Sequence, residues 1–360
     1  MAGGPIFDRA PRRVYWEVTR ACDLACRHCR AEAAPEPDPG ELGPEEGRRL
    51  LDDLMRFGSP LPHLVLTGGD PLKRADLFPL IEAARARGFA VSVAPSGTPL
   101  FTAGAVRRLV AAGVEAISLS LDGSTAAQHD RLRGVPGCFE RTLMAARECA
   151  AAGLPFQVNT LVSEETLGDL PGIHDLASSL GALRWSLFFL VAVGRGSVLR
   201  PISAEAAEKL FEQLLELAGQ AGPAVTTTEA PHFRRVAMER GGRQAGGPGE
   251  RHRAIGHSAG IRDGNGIMFI SHTGLVCPSG FLPLSAGNVR TADLVELYRD
   301  SDLFRALRRA EGFGGRCGRC EYRDACGGSR ARAWAATGDP LAEDPLCRYE
   351  PAAAAPRGRM

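Results

Sequence analysis

The segment RVYWEVTRACDLACRHC, residues 13–29, decides the reading of this 360-residue chain. Residues 13–18 have the aromatic and β-branched character of a strand. Directly after them come Cys22, Cys26 and Cys29, spaced CxxxCxxC in one loop. Three thiolates fit three of the four irons in a [4Fe–4S] cube, and the missing fourth leaves one iron open to another ligand. An open coordination position separates a catalytic metal site from a structural one. A zinc knuckle is the competing reading, but no fourth ligand lies close by to close it.

Outward from this segment, apolar runs alternate with segments of helical period. Strands are expected over residues 13–18, 63–67, 89–94, 116–121, 156–162 and 184–191. Helices are expected over 44–57, 76–87, 103–112, 138–152, 167–180 and 204–218. Strands joined by helical crossovers require a parallel sheet, as a barrel, a partial barrel or an open doubly wound sheet. In all three, ligands collect at the C-terminal ends of the strands, where the cysteine loop sits. Residues 1–12 read as an N-terminal extension, 13–220 as the core, 221–265 as a linker and 266–350 as a small cysteine-rich domain. The Gly-, Arg- and His-rich stretch 240–260 within the linker reads as a mobile loop, and the tail 351–360 as disordered. Residues 266–270 and 275–277 suggest a hairpin, and 292–307 a helix.

Composition narrows the function. A formal net charge of +1 gives no footprint for nucleic acid, which is not expected as a partner. No signal-peptide h-region or long apolar run is present, so a cytoplasmic protein that does not enter the membrane is expected. Ten cysteines gathered at the two ends of such a chain favour metal ligation over disulfides. Only Lys73 and Lys209 are available for Schiff-base chemistry.

CxxxCxxC opening a β/α barrel resembles the radical S-adenosylmethionine (SAM) superfamily. The resemblance implies a partial (β/α)6 TIM-like barrel in which the open iron of a [4Fe–4S] cluster binds SAM, with Cys22, Cys26 and Cys29 as its protein ligands. His28 holds the position of the family's aromatic residue near adenine, and an exposed loop histidine is the alternative. LTGGDP, residues 66–71, resembles the family's GGEP motif, so Gly68, Gly69 and Asp70 are expected to meet the SAM amino group. Asp70 stands where the family has Glu. In ISLSLDG, residues 117–123, Ser120 and Asp122 resemble positions near the SAM carboxylate and ribose, although Asp122 can also cap a turn. Asn159, on an inward-facing strand position, matches a ribose contact. Val191 matches the place whose backbone hydrogen-bonds adenine.

Near the C-terminus Cys317, Cys320, Cys326 and Cys347 give CxxC, five residues, C, then twenty residues to C. A structural zinc ribbon is one reading. The arrangement also resembles the SPASM/twitch extension of radical SAM enzymes, with the segment 326–347 most like the haem and haem d1 biosynthesis branch. SPASM domains hold two auxiliary clusters, but the next cysteine position of their pattern is occupied here by Arg330, so one auxiliary [4Fe–4S] cluster is expected. Cys277 is then a hairpin or cavity residue.

What the resemblance implies for function is reduction of the first cluster by an external donor such as flavodoxin or ferredoxin. SAM is then cleaved to methionine and a 5′-deoxyadenosyl radical, which takes a substrate hydrogen atom. No catalytic acid or base is singled out. A tetrapyrrole with propionate side chains suits an arginine-rich chain, for oxidative modification or decarboxylation, because arginine binds carboxylates bidentately. Maturation of a ribosomally made peptide is the alternative, and residues 1–12 are few for a leader-binding domain. A non-catalytic zinc or iron–sulfur scaffold is the reading from a different class.

Overall fold

Residues Arg13–Glu17 form strand β1. Val14 and Trp16 are wholly buried on one face, so Arg13, Tyr15 and Glu17 alternate onto the other. That alternation, repeated along the chain, sets the architecture: apolar faces meet an outer layer of helices, and more polar faces look inward. The structure, a computed structural model, describes residues 7–240 and 260–352. The loop expected at 240–260 and most of the tail expected at 351–360 lie outside the described residues, as does the first half of the 1–12 extension.

After β1 come α1 (Pro44–Met55), β2 (His63–Thr67), α2 (Leu77–Ala86), β3 (Val91–Val93), α3 (Ala103–Ala111) and β4 (Ala116–Ser120). Then follow α4 (Ala126–Arg133), α5 (Cys138–Ala151), β5 (Phe156–Val162), α6 (Leu170–Ser179), β6 (Arg184–Phe189), α7 (Ala204–Ala218), β7 (Ala224–Thr228) and α8 (His232–Glu239). The C-terminal part adds β8 (Ile267–Ile270), β9 (Leu275–Cys277), β10 (Gly287–Asn288), α9 (Leu294–Asp300), α10 (Asp302–Arg308), α11 (Gly315–Arg319) and α12 (Arg330–Thr337).

The strands form one sheet in the order β10-β9-β8-β1-β2-β3-β4-β5-β6-β7. Pairing is parallel from β8 through β7, while β9 and β10 run antiparallel. The order is linear, and residues from β1 to β8 line a common cavity, so the sheet curls into a partial barrel. Helices cover its outside. Gly47 of α1 sits where a Cβ would be 3.2 Å from the Trp16 ring, which lets the helix pack directly on β1. Each large side chain buried in this layer contributes about 1.5–3 kcal/mol.

Several features depart from the sequence reading, the unexpected helix α4 among them. The stretch 221–265 carries β7 and α8 rather than only linker; β7 pairs with β6 through Arg184↔Ala224 to Phe188↔Thr228. Its sequence, AVTTT, is too polar to stand out as a strand. The helix expected over 292–307 is broken at Ser301, whose extended backbone ends α9 and whose Oγ accepts from Phe304 N–H to cap α10. The expected hairpin forms as β8 and β9, and β8 pairs with β1 in parallel, Arg13↔Ile267 to Trp16↔Ile270. The C-terminal part thus continues the sheet of the barrel.

Candidate active site and a second cysteine loop

Beyond β1 the chain passes through the three cysteines and closes on itself by a bridge between Ala21 and Ala34. Cys22 N–H donates to the Ala34 carbonyl at 2.7 Å, and Cys29 N–H to that of Cys26 at 3.3 Å. Every sulfur meets a donor. Leu24 N–H lies 3.4 Å from Cys22 Sγ, Ala33 N–H 3.5 Å from Cys29 Sγ, and Arg133 Nη1 3.7 Å from Cys26 Sγ. Such donors favour thiolate over thiol. Burial opposes them and pushes the Cys22 thiol up to about 11, so stable thiolates need a cation, which iron would supply.

The turn after β2 leans on this loop. A Cβ on Gly68 would lie 2.4 Å from the Thr19 carbonyl oxygen, and one on Gly69 2.3 Å from that of Ala21. Gly69 and Asp70 N–H donate to those two carbonyls at 2.8 and 2.6 Å. The glycines are therefore required by contact between two backbones. Asp70, expected to offer its carboxylate to an ammonium group, is instead wholly buried. Oδ1 accepts from Leu72 and Ser96 N–H at 3.1 and 3.3 Å, and Oδ2 from Thr98 Oγ1 at 2.7 Å. Ser96, held this way, donates to the Gly69 carbonyl at 3.0 Å and stands 3.6 Å from Cys22 Sγ. Asp70 thus ties the loops after β2 and β3 to the cysteine loop.

His28, Asp122 and Arg133 converge beside Cys26. Asp122 Oδ1 accepts from Leu161 N–H at 2.6 Å, its other oxygen pairs with Arg133 Nη2, and His28 Nε2 lies 4.0 Å away. Burial works against the Asp122 carboxylate, but Arg133 outweighs it and holds the group below the usual carboxylate range. Burial, with Arg133 beside it, lowers His28 to about 4, so the imidazole is neutral at pH 7. Its Nδ1 is buried with no hydrogen-bond partner, which suits an aromatic ligand with a donor edge. The exposed-loop reading of His28 and the turn-cap reading of Asp122 both give way: the cap of α4 is Thr125, whose side chain accepts from Gln128 N–H.

Strand register lays polar residues in rows across the inner face. Ser120 is opposite Asn159, Asn159 opposite Ser186, and Ser186 opposite Thr226; one step toward the barrel floor, Ser118, Gln157 and Arg184 form a second row. Asn159 accepts from Gln157 Nε2 at 2.8 Å. All of these but Ser120 border a cavity of about 1030 Å³, open to solvent, with Arg13 and Arg184 at its floor and Arg30, Phe188 and Glu229 toward its top. Val191 does not join them: its carbonyl accepts from Val193 N–H at 2.8 Å, and its side chain packs with Leu282, Leu307 and Ala331.

Sequence reasoning did not find Glu17, Arg30 and His272. Arg30, one residue past Cys29, donates to Glu17 Oε2 at 3.0 Å and lies over the Phe269 ring at 4.6 Å. Glu17 Oε1 also meets His272 Nδ1 at 2.6 Å. Burial disfavours the Glu17 charge, yet Arg30 and His272 keep it below its ordinary value. Only the position of Glu17 at the end of β1 hints at this role, because one partner, His272, comes from a segment 255 residues away.

The second cysteine loop is brought together as its spacing suggests. Cys317, Cys320, Cys326 and Cys347 line a recess of about 350 Å³ with His232, Arg235 and Arg316. Tyr322 N–H points at Cys320 Sγ (3.4 Å), Gly328 N–H at Cys326 Sγ (3.5 Å) and Arg330 Nη2 at Cys317 Sγ (3.6 Å). Gly328, at φ +65°, leaves no room for a Cβ, which would fall 2.5 Å from Arg330 Nη2. Among the described residues no three His, Cys, Asp or Glu side chains converge on the spacing a single ion needs.

These geometries agree with the comparisons with known proteins. Residues 16–177 match the family model of the radical SAM superfamily, and the chain belongs to that superfamily. It is 40% identical over 346 residues to an AdoMet-dependent heme synthase of Oleidesulfovibrio alaskensis, covering 95% of this chain and 88% of that one. It is 32% identical to the pre-heme d1 synthase of Dinoroseobacter shibae, over 93% of this chain and 85% of the relative. In fold it resembles Streptococcus suis SuiB bound to S-adenosylmethionine, with a TM-score of 0.73 at 17% identity, over 95% of this chain and 78% of SuiB. The chain is accordingly an enzyme that uses a [4Fe–4S] cluster and SAM. No helix among the described residues is long and apolar enough to cross a membrane.

Proposed function

We propose that this enzyme modifies a tetrapyrrole bearing carboxylate side chains, held in the barrel cavity. The observation that carries this reading is the pair of guanidiniums at the cavity floor. Burial, reinforced by the charge of Arg13, lowers Arg184 to about 10, and both residues line the cavity. Both guanidiniums line the cavity, and arginine forks match carboxylates in geometry. The names of the two relatives support the same substrate class.

A cluster held by Cys22, Cys26 and Cys29 would supply the electron for reductive cleavage of SAM to methionine and a 5′-deoxyadenosyl fragment, and that fragment would take the substrate hydrogen atom. The chain's own residues do the positioning. Gly68 and Gly69 hold the β2 turn against the cysteine loop, and Ser120 on β4, Asp122 just past it and Asn159 on β5 would face SAM's polar groups. Neutral His28 would flank the adenine, while the Val191 carbonyl, already accepting from Val193 N–H, leaves only neighbouring backbone to meet its edge. Cys317, Cys320, Cys326 and Cys347 hold one auxiliary [4Fe–4S] cluster, and a small electron-transfer protein such as flavodoxin or ferredoxin is the reductant.

Titration of the reconstituted enzyme with iron coproporphyrin III tests the substrate class. Each of Arg13→Met and Arg184→Met is expected to weaken binding about tenfold or more, the worth of a charged hydrogen bond. Equal affinity in wild type and both variants, or binding of none by any of them, would reject the tetrapyrrole reading and favour a peptide substrate.

A further inference from the structure

Arg30 belongs to the first cysteine loop, one residue past Cys29, yet its side chain reaches back to the barrel. Three segments that meet only in the fold fix its guanidinium. Nη1 donates to Glu17 Oε2 at the end of β1 at 3.0 Å, and Cζ lies 4.6 Å from the centre of the Phe269 ring on β8. The third segment is the loop after β9, where a Cβ on Gly280 would stand 2.9 Å from both Cζ and Nε of Arg30, so glycine lets the backbone pass beside the guanidinium. Glu17 depends on Arg30 only in part, since His272 Nδ1 meets its other oxygen at 2.6 Å. An arginine carries five N–H donors, and the bond to Glu17 is the only hydrogen bond this guanidinium makes among the described residues. The Nε–Nη2 edge, a fork that can grip a carboxylate with two parallel bonds, therefore has no acceptor among those residues, while Arg30 borders the cavity.

The place of this edge in the cavity gives it a role distinct from that of the floor. Arg13 and Glu17 share the inward face of β1 at its two ends, about 13 Å apart at the rise of an extended strand. Arg13 and Arg184 line the floor, whereas Arg30, tied to Glu17, stands at the end where the cysteine loop lies. We propose that Arg30 is a specificity-determining residue that binds one carboxylate of the substrate beside the first cysteine loop, while Arg13 and Arg184 hold acidic groups at the floor. The substrate is then gripped at both ends, and the side chain seated on Arg30 is the one presented for hydrogen abstraction. This rests on the tetrapyrrole reading for the class of ligand, and adds to it that the acidic groups lie on opposite sides of the ring. Because Glu17, Phe269 and Gly280 hold the guanidinium before a ligand arrives, little loss of side-chain freedom opposes binding. Phe269 and Gly280 come from the C-terminal part, which thereby helps to build the substrate site.

Two iron porphyrins separate this role from a purely structural one. Coproporphyrin III carries four propionates distributed around the ring, whereas mesoporphyrin IX keeps two of them on one edge and has ethyl groups in place of the others. Titrated into the reconstituted enzyme, iron coproporphyrin III should bind Arg30→Met about tenfold or more weaker than wild type, the worth of a charged hydrogen bond. Iron mesoporphyrin IX, with its two acids at the floor, should bind wild type and Arg30→Met almost equally, and Arg184→Met should weaken both porphyrins. Gly280→Ala leaves Glu17 its partner but crowds the guanidinium, and should show the same selective loss to a smaller degree. Unchanged affinity for iron coproporphyrin III in Arg30→Met, or an equal loss of both porphyrins in a variant that retains its iron, would overturn the inference and leave the tetrapyrrole reading standing. Where Arg30→Met does not retain its iron, Gly280→Ala decides by the same criterion. Binding of neither porphyrin by wild type would reject the tetrapyrrole reading, and this inference with it.

Discussion

Arg133 joins the first cysteine loop to the barrel by touching Asp122 and Cys26 at once. Burial disfavours its charge, but Asp122 holds it protonated. Removing one member of such a buried pair leaves the other charge without compensation, so Arg133→Met is expected to cost about 3–5 kcal/mol of stability in denaturant titration. A loss under about 1 kcal/mol, the range of surface ion pairs, would show that Asp122 is solvated. The cysteines themselves carry a simpler prediction. Replacing Cys22, Cys26 or Cys29 with Ala should abolish SAM cleavage, since each supplies one thiolate of the cluster; undiminished 5′-deoxyadenosine from any of the three would remove that residue from the ligand set. Spacing makes these residues legible in the sequence. Arg133 is not, because it draws its meaning from partners on other elements. Asp70 is visible as a motif residue, but only the structure reveals Thr98 and Ser96 as its partners.

Among elements, the contact between the β2 turn and the cysteine loop is the most sensitive. Gly69→Ala would set a methyl group 2.3 Å from the Ala21 carbonyl oxygen and 2.6 Å from that of Arg20, so one of the two loops must move. We expect reconstituted Gly69→Ala to hold less iron than wild type while keeping its helical circular dichroism, and full iron content would show that the loops can separate at little cost. The strands β1 to β6 are legible because their apolar runs stand between helical patterns. β7 is hidden by three threonines. α4 is hidden too, since it buries only His129 and Leu132 and has no apolar stripe, although Thr125 before it is a capping signal. The joining of β8 to β1 is a pairing across more than two hundred residues, which local pattern does not carry.

For the molecule as a whole, the barrel places the first cysteine loop and the cavity at one end, and the C-terminal part, continuous with the sheet, adds a second cysteine recess. If that recess holds one cube, the reconstituted chain should contain about eight irons, two clusters of four. Cys277→Ala should not alter the count, because Cys277 is a buried residue of β9 that belongs to neither cysteine motif. About twelve irons would require a further cluster, and about four with one zinc would make the second recess a ribbon. The central claim, that the first loop and the barrel together cleave SAM, is tested most directly by anaerobic reconstitution, chemical reduction and chromatographic measurement of the products. The account predicts 5′-deoxyadenosine and methionine in equal amounts, dependent on both iron and reductant. A protein carrying its full iron content that forms neither product under reduction would contradict it.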